Sequence, residues 1–202
     1  MQVASENNNQ TSDAAARAWG HLRTITKHKI LVGELCFKAG LYKQGLLHDL
    51  SKYSPVEFAV GARYFTGNKS PNVAERLEKG VSESWLHHKG RNKHHFEYWM
   101  DVRNKEDMNF RGRPMPTRYV VEMLCDRIAA CKVYQGNAYT QASALNYYLA
   151  QPEYNSLMHP DTAALLEAML RMVAELGEDE ALTIIKRDVV QAHLTYGEHG
   201  RF

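Results

Sequence analysis

The amino-acid sequence predicts an all-α fold. Apolar residues recur at three- and four-residue spacing along several stretches, framed by helix caps and stops. No alternating Val/Ile/Thr/Tyr run appears, and no hairpin dipeptide lies between two such runs. The 202 residues contain no internal repeat and no Pro/Gly/Ser-rich linker, so residues 13–202 are read as one helical domain with a substantial core.

Local signals place the elements in order. Residues 1–12 are polar and lack the basic and apolar regions of a signal peptide, so a disordered leader is expected there. Ser12-Asp13 suits a helix start and Gly40 a stop. A first helix should therefore run to Ala39, with Trp19, Leu22, Ile25, Ile30, Leu31 and Leu35 as its apolar stripe and His28 within it. A second helix is expected over residues 41–52, carrying His48-Asp49. Ser54-Pro55-Val56-Glu57 reads as a capping box with proline at the first helical position, opening a third helix to Phe65. After the break at residues 67–71, a kinked helix from Asn72 to Lys89 is expected. A turn at residues 90–93, a short aromatic helix at 94–100 and a charged loop at 103–113 follow. Further helices are expected at 117–134, 139–150, 161–176 and 179–195. The stripe of the helix at Ala163–Leu176 suits the core, with a homodimer seam as the alternative.

Composition excludes several classes. A net charge of +2 with no dense Lys/Arg cluster gives no strong nucleic-acid footprint. No run approaches the ~20 apolar residues of a membrane span. Cys36, Cys125 and Cys131 are odd in number and form no CxxC, which argues against a disulfide framework and for a cytoplasmic, reducing setting. No phosphate-loop, GxGxxG, HExxH or GxSxG motif is present.

The unusual feature is histidine, ten in all, with His87-His88 and His94-His95 within nine residues of one another. So many titratable rings in one stretch point to a metal site. His28 and His48 are near-symmetric about the turn at Gly40, so an antiparallel helix pair can bring them level. Asp126 sits inside the apolar run Val120–Ala130, where a carboxylate is costly to bury unless paired or bound to a cation. The nearby Arg91 and Lys93 are candidates for holding a substrate phosphate.

The order His28, then His48-Asp49, then Asp126, with Lys52 completing His-Asp-x-x-Lys, resembles the HD-domain superfamily of metal-dependent phosphohydrolases. The stretches His48–Pro55, Trp85–His88 and His94–Trp99 also look like an uncharacterised family of bacterial and phage proteins. The first resemblance implies a compact HD-like helical bundle with additional C-terminal helices. It implies His28, His48, Asp49 and Asp126 as ligands of a first divalent transition metal, which could be Mn, Fe, Ni, Co or Zn. His87, His88, His94 and His95 would supply a second, one histidine from each pair, with His88 and His95 favoured. The residues usual around the middle histidines are not reproduced, which leaves one or two ions open.

The expected reaction is hydrolysis of a phosphate ester on a small phosphorylated substrate, nucleotides foremost. A metal-activated water would attack, Asp49 would act as ligand and proton acceptor, and Lys52 would steady the developing charge. Two alternatives use the same residues: a di-iron HD-type oxygenase cleaving a C–C or C–P bond, and a non-enzymatic helical module with a structural metal.

Overall fold

Helix α1 (Gln2–Lys38) is the longest element, and its buried face decides where the rest of the chain packs. The computed structural model describes residues 2–102, 104–106 and 108–196, with side chains from residue 13 onward. No Gly or Pro interrupts residues 2–19, and the helix is continuous from Gln2 through the segment expected to be a disordered leader. Its buried positions are His21, Ile25, His28, Val32, Leu35, Cys36 and Ala39. The stripe therefore differs from the expected one: Trp19 and Ile30 are exposed, and two histidines occupy core-facing positions.

The fold is all-α. After α1 come α2 (Tyr42–Leu47), a 3-10 turn (Leu50–Tyr53), α3 (Pro55–Arg63), α4 (Pro71–Lys79) and α5 (Glu83–Lys89). Gly80, at φ 76°, separates α4 from α5, so the expected kinked helix is two helices. Ser82 caps α5 by accepting from the Trp85 N–H at 3.1 Å and donates to the buried Glu75 at 2.7 Å.

A 3-10 turn (Phe96–Trp99) stands where an aromatic helix was expected. Met100–Asp101 (β1) then pairs antiparallel with Arg111–Gly112 (β2), a short hairpin that two-residue strands could not announce in the sequence. Of the charged loop expected at 103–113, residues 103 and 107 lie outside the described residues. The chain continues with α6 (Thr117–Gln135), α7 (Ser143–Leu149), α8 (Pro152–Asn155), α9 (Pro160–Leu176) and α10 (Glu178–Ile185), and a π-helical turn (Lys186–Gln191).

One continuous buried cluster joins α1, α6, α9 and α10 through Val32, Leu35, Leu124, Ile128, Leu166, Leu170, Leu182 and Ile185. Each such side chain contributes about 1.5–3 kcal/mol on burial. This core holds α1 and α6, and so His28 and Asp126, in fixed relation. Cys36, Cys125 and Cys131 are free thiols buried within it. No helix among the described residues is long and apolar enough to cross a membrane.

Candidate metal centre

Helix α2 ends at Leu47, and the expected helix over 41–52 is broken at the two residues of interest. His48 is extended (φ −51°, ψ 127°), and Asp49 is left-handed (φ 52°, ψ 28°), a conformation Asp tolerates better than most residues. Neighbours on a helix diverge by about 100°. The break removes that divergence, and both side chains turn into one space between α1 and α6. Lys29 of α1 secures the break by donating to the carbonyls of Leu46 (2.7 Å) and His48 (2.9 Å).

His94-His95 uses the same device. Both residues precede the 3-10 turn at Phe96, and His95 is extended (φ −85°, ψ 125°). His87-His88, by contrast, lies inside α5, so its two rings point in different directions.

Two four-residue sets of donor atoms result, beside a third group of His48, His94 and Glu122, each with its atoms within 4.8 Å of one another. The first is His28, His48, Asp49 and Asp126; the second is Asp49, His88, His94 and His95. Asp49 belongs to both. Its Oδ2 lies 3.3 Å from His48 Nε2, and its Oδ1 lies 3.3 Å from His88 Nε2 and 3.4 Å from His94 Nε2. Asp126 Oδ1 is 2.9 Å from His28 Nε2 and 3.5 Å from His48 Nε2.

These atoms are close but do not satisfy one another. Nε2 of His48, His94 and His95 and Oδ1 of Asp49 are buried without a hydrogen-bond partner, while Asp49 Oδ2 is engaged by Lys52. Unpaired buried polar atoms are rare and costly. Such atoms converging in imidazole-plus-carboxylate sets can hold divalent metal ions.

Two glutamates support the rings from behind. Glu122 Oε1 lies 3.0 Å from His48 Nδ1 and 3.2 Å from His94 Nδ1. Glu57 Oε2 lies 2.8 Å from His88 Nδ1. A carboxylate that accepts from Nδ1–H leaves Nε2 as the lone-pair nitrogen, the arrangement metal-binding histidines use. Neither glutamate was singled out from the sequence as part of the site. Glu57 was read as closing a capping box; Ser54 does accept from its N–H at 3.5 Å, but the carboxylate turns to the histidines. Glu122 lies one helical turn before Asp126, and that spacing was the available signal.

The charge balance also favours a cation. Four carboxylates, from Asp49, Glu57, Glu122 and Asp126, face two ammonium groups, Lys52, which stands 2.5 Å from Asp49 Oδ2, and Lys29 at the His48 carbonyl. Burial opposes ionisation of Asp49, but His48 and Lys52 outweigh it and hold the carboxyl well below the usual range. Asp126 is also held well below, through His28 and His48. Burial opposes charge on His48, yet Asp49, Asp126 and Glu122 push its pKa well above the usual value. That proton partly offsets the carboxylate charge, and an ion bound at Nε2 would displace it. Burial, with the neighbouring rings of His94 and His88, pushes His95 well down, leaving a neutral ring suited to ligation.

A cavity of about 730 Å³ opens onto the centre. His28, His88, His95, Asp126, Glu57 and Lys52 line its floor. Its walls carry Lys69, Arg76 and Arg127, with Phe65, Trp85, Tyr134 and Tyr147.

Three expected residues are not brought to the centre. His87 is turned away, with Nδ1 2.6 Å from Glu57 Oε1, because the helical rotation of α5 lets only His88 face inward. Arg91 reaches back to the His87 carbonyl at 3.4 Å, and Lys93 lies over the Tyr98 ring at 5.6 Å. Neither lines the cavity: both side chains are exposed, and it is Asn92 between them that turns inward, donating to Ser51 at 2.8 Å. The second set takes both His94 and His95, where one histidine of that pair was expected.

The profile of a protein family described as a family of unknown function (DUF5662) matches residues 17–172. No curated protein and no solved structure matches the chain. The chain belongs to the DUF5662 family, and the matched span includes every residue of both donor sets.

Proposed function

We propose that this chain is a metal-dependent hydrolase of phosphate esters, in keeping with the resemblance of its His-Asp pattern to the HD-domain superfamily. The observation that carries the reading is Asp49, whose two oxygens face two different donor sets beside a cation-lined cavity. A carboxylate that faces both sets can hold two ions close enough to clamp a phosphoryl group between them. Divalent cations held there, Mn, Fe, Co, Ni or Zn by the donor types, supply an acidified water and polarise a phosphoryl oxygen.

The chain's own residues do the rest. Lys52 lines the cavity beside Asp49, and its ammonium is suited to steadying charge that develops on a phosphoryl group. Asp49 is 2% exposed and does not line the cavity, so it suits a ligand role. Asp126 is the donor-set aspartate that lines the cavity, so it can accept a proton from cavity water. Arg127 offers a further cation on the same wall.

The donor sets are rich in nitrogen, five imidazoles to two aspartates, which also suits a pair of irons. That favours oxygen-dependent cleavage of a C–C or C–P bond as the second reading. An adjoining cavity is less suited to a purely structural metal, whose coordination is closed.

The test is a panel of phosphomonoesters, phosphodiesters and nucleotides incubated with chelator-treated protein and Mn, Co, Ni or Zn in turn. The expected result is phosphate release that depends on added metal. No release with any metal, together with oxygen uptake by the iron-loaded protein on a candidate substrate, would transfer the assignment to the oxygenase.

A further inference from the structure

Away from the metal centre, the cavity wall carries a second group of polar side chains that the centre does not use. His21 precedes His28 on α1 by seven residues, about two turns or 10 Å. It is only 7% exposed and packs against the rings of Phe58 and Phe65, with centroids at 5.4 and 6.1 Å. Gly61 of α3 admits it, because a Cβ at that position would come within 2.0 Å of His21 Nε2. The ring lines the cavity, and among the described residues it makes no hydrogen bond or ion pair. Burial, with the charge of Lys52, pushes its pKa down to about 4, so it is a neutral hydrogen-bonding group at ordinary pH.

Phe65 leads from His21 into the segment 67–76, which supplies the same cavity with Lys69 and Arg76. Neither cation has an ion-pair partner among the described residues. The nearby carboxylates are occupied: Glu78 with Arg63 at 3.3 Å, and Glu75 with Lys79, Ser82 and Ser84. The N-terminus of α4 lines the same cavity, and its cap residue Ser70 makes no side-chain capping bond. Asn72 in its first turn has Oδ1 engaged by Ser84 at 2.9 Å, which leaves its amide N–H groups for another partner.

We propose that His21, Lys69, Arg76 and the start of α4 form a second anion subsite, which takes a phosphate-class oxyanion. Two positive side chains, the positive end of a helix with the Asn72 N–H, and an imidazole without a partner are the chemistry that recognises such a group. The inference rests on the hydrolase reading in one respect: it makes the anion part of the substrate. The preferred substrate class then carries two anionic groups, one at the metal centre and one about two helical turns away.

The subsite can be tested apart from catalysis, because chelator-treated protein carries no metal to bind phosphate and the variants change only the second group of side chains. Chelator-treated protein is titrated with inorganic phosphate by calorimetry, for wild type, the Lys69→Ala/Arg76→Ala double variant and His21→Gln, with circular dichroism confirming the fold of each. Saturable binding is expected for wild type, about tenfold or more weaker in the double variant, with a smaller loss in His21→Gln. In the metal-loaded protein, the double variant should raise KM for a bisphosphate substrate and leave KM for a simple aryl phosphate unchanged. Absence of saturable phosphate binding, or equal affinity in wild type and double variant, would overturn the subsite. Phosphate binding that is lost in the double variant, with no ester hydrolysed by any metal form, supports the subsite while removing the hydrolase.

Discussion

Asp49→Asn is expected to lose both metal ions at once and to lower any metal-dependent activity by on the order of 10³-fold or more, the scale of several kcal/mol of lost Lewis-acid stabilisation. The substitution isolates the charge. Asn tolerates the left-handed conformation at φ 52° about as well as Asp, so the break between α2 and the 3-10 turn is retained. It is also nearly isosteric, so packing is retained. What is lost is the carboxylate whose two oxygens face the two donor sets. Asp126→Asn and His95→Ala are the controls, since each belongs to one set. Elemental analysis should find both ions depleted in Asp49→Asn and one ion depleted in each control. Equal depletion in all three would mean a single site, and no depletion would mean the carboxylate is not a ligand.

Glu122→Ala is expected to have the second-largest effect, although this carboxylate belongs to neither four-donor set. It accepts from both His48 and His94, one ring from each. Loss of such an outer partner commonly costs about 10–100-fold in metal affinity, here at both sites. It also leaves two buried Nδ1–H groups without an acceptor, each costing about 1–3 kcal/mol. Removing a negative charge relieves repulsion among the carboxylates and opposes this loss. However, His48 and His94 together hold the Glu122 pKa below its usual value, so its net interaction is favourable and the metal-free Tm should fall. Glu57→Ala supports only His88 and His87 and should weaken one ion. Metal titrations of the two variants distinguish these outcomes; equal effects of Glu57→Ala and Glu122→Ala would contradict the assignment of Glu122 to both sets.

Helices were legible because their signals are local. Gly40, Ser54-Pro55 and Gly177 mark ends that the structure retains, and the apolar stripe of α9 matches its buried face. His28, His48 and Asp126 were legible as candidates from helix spacing and an out-of-place carboxylate, and the resemblance to the HD-domain superfamily is what joined them with Asp49 as one set. The departures come from backbone that leaves the helix where the chemistry is. His48-Asp49 and His94-His95 lie in non-helical backbone, so adjacent side chains share a target, which helical periodicity cannot anticipate. His87 fails for the complementary reason, because α5 remains helical. Glu57 carries a helix-start signature that accounts for its residue type without the site. His21 had a signal, its two-turn spacing from His28 on one buried face, but its environment depends on Gly61 and Phe65, distant in sequence.

The central claim is that Asp49 is shared between two ions. Anomalous diffraction from crystals of the metal-loaded protein, collected at the edge of the bound metal, tests it most directly. The account predicts two peaks about 3.5–4 Å apart, one among His28, His48 and Asp126 and the other among His88, His94 and His95, with an Asp49 oxygen at each. One peak, or two of which either lies away from Asp49, would contradict it.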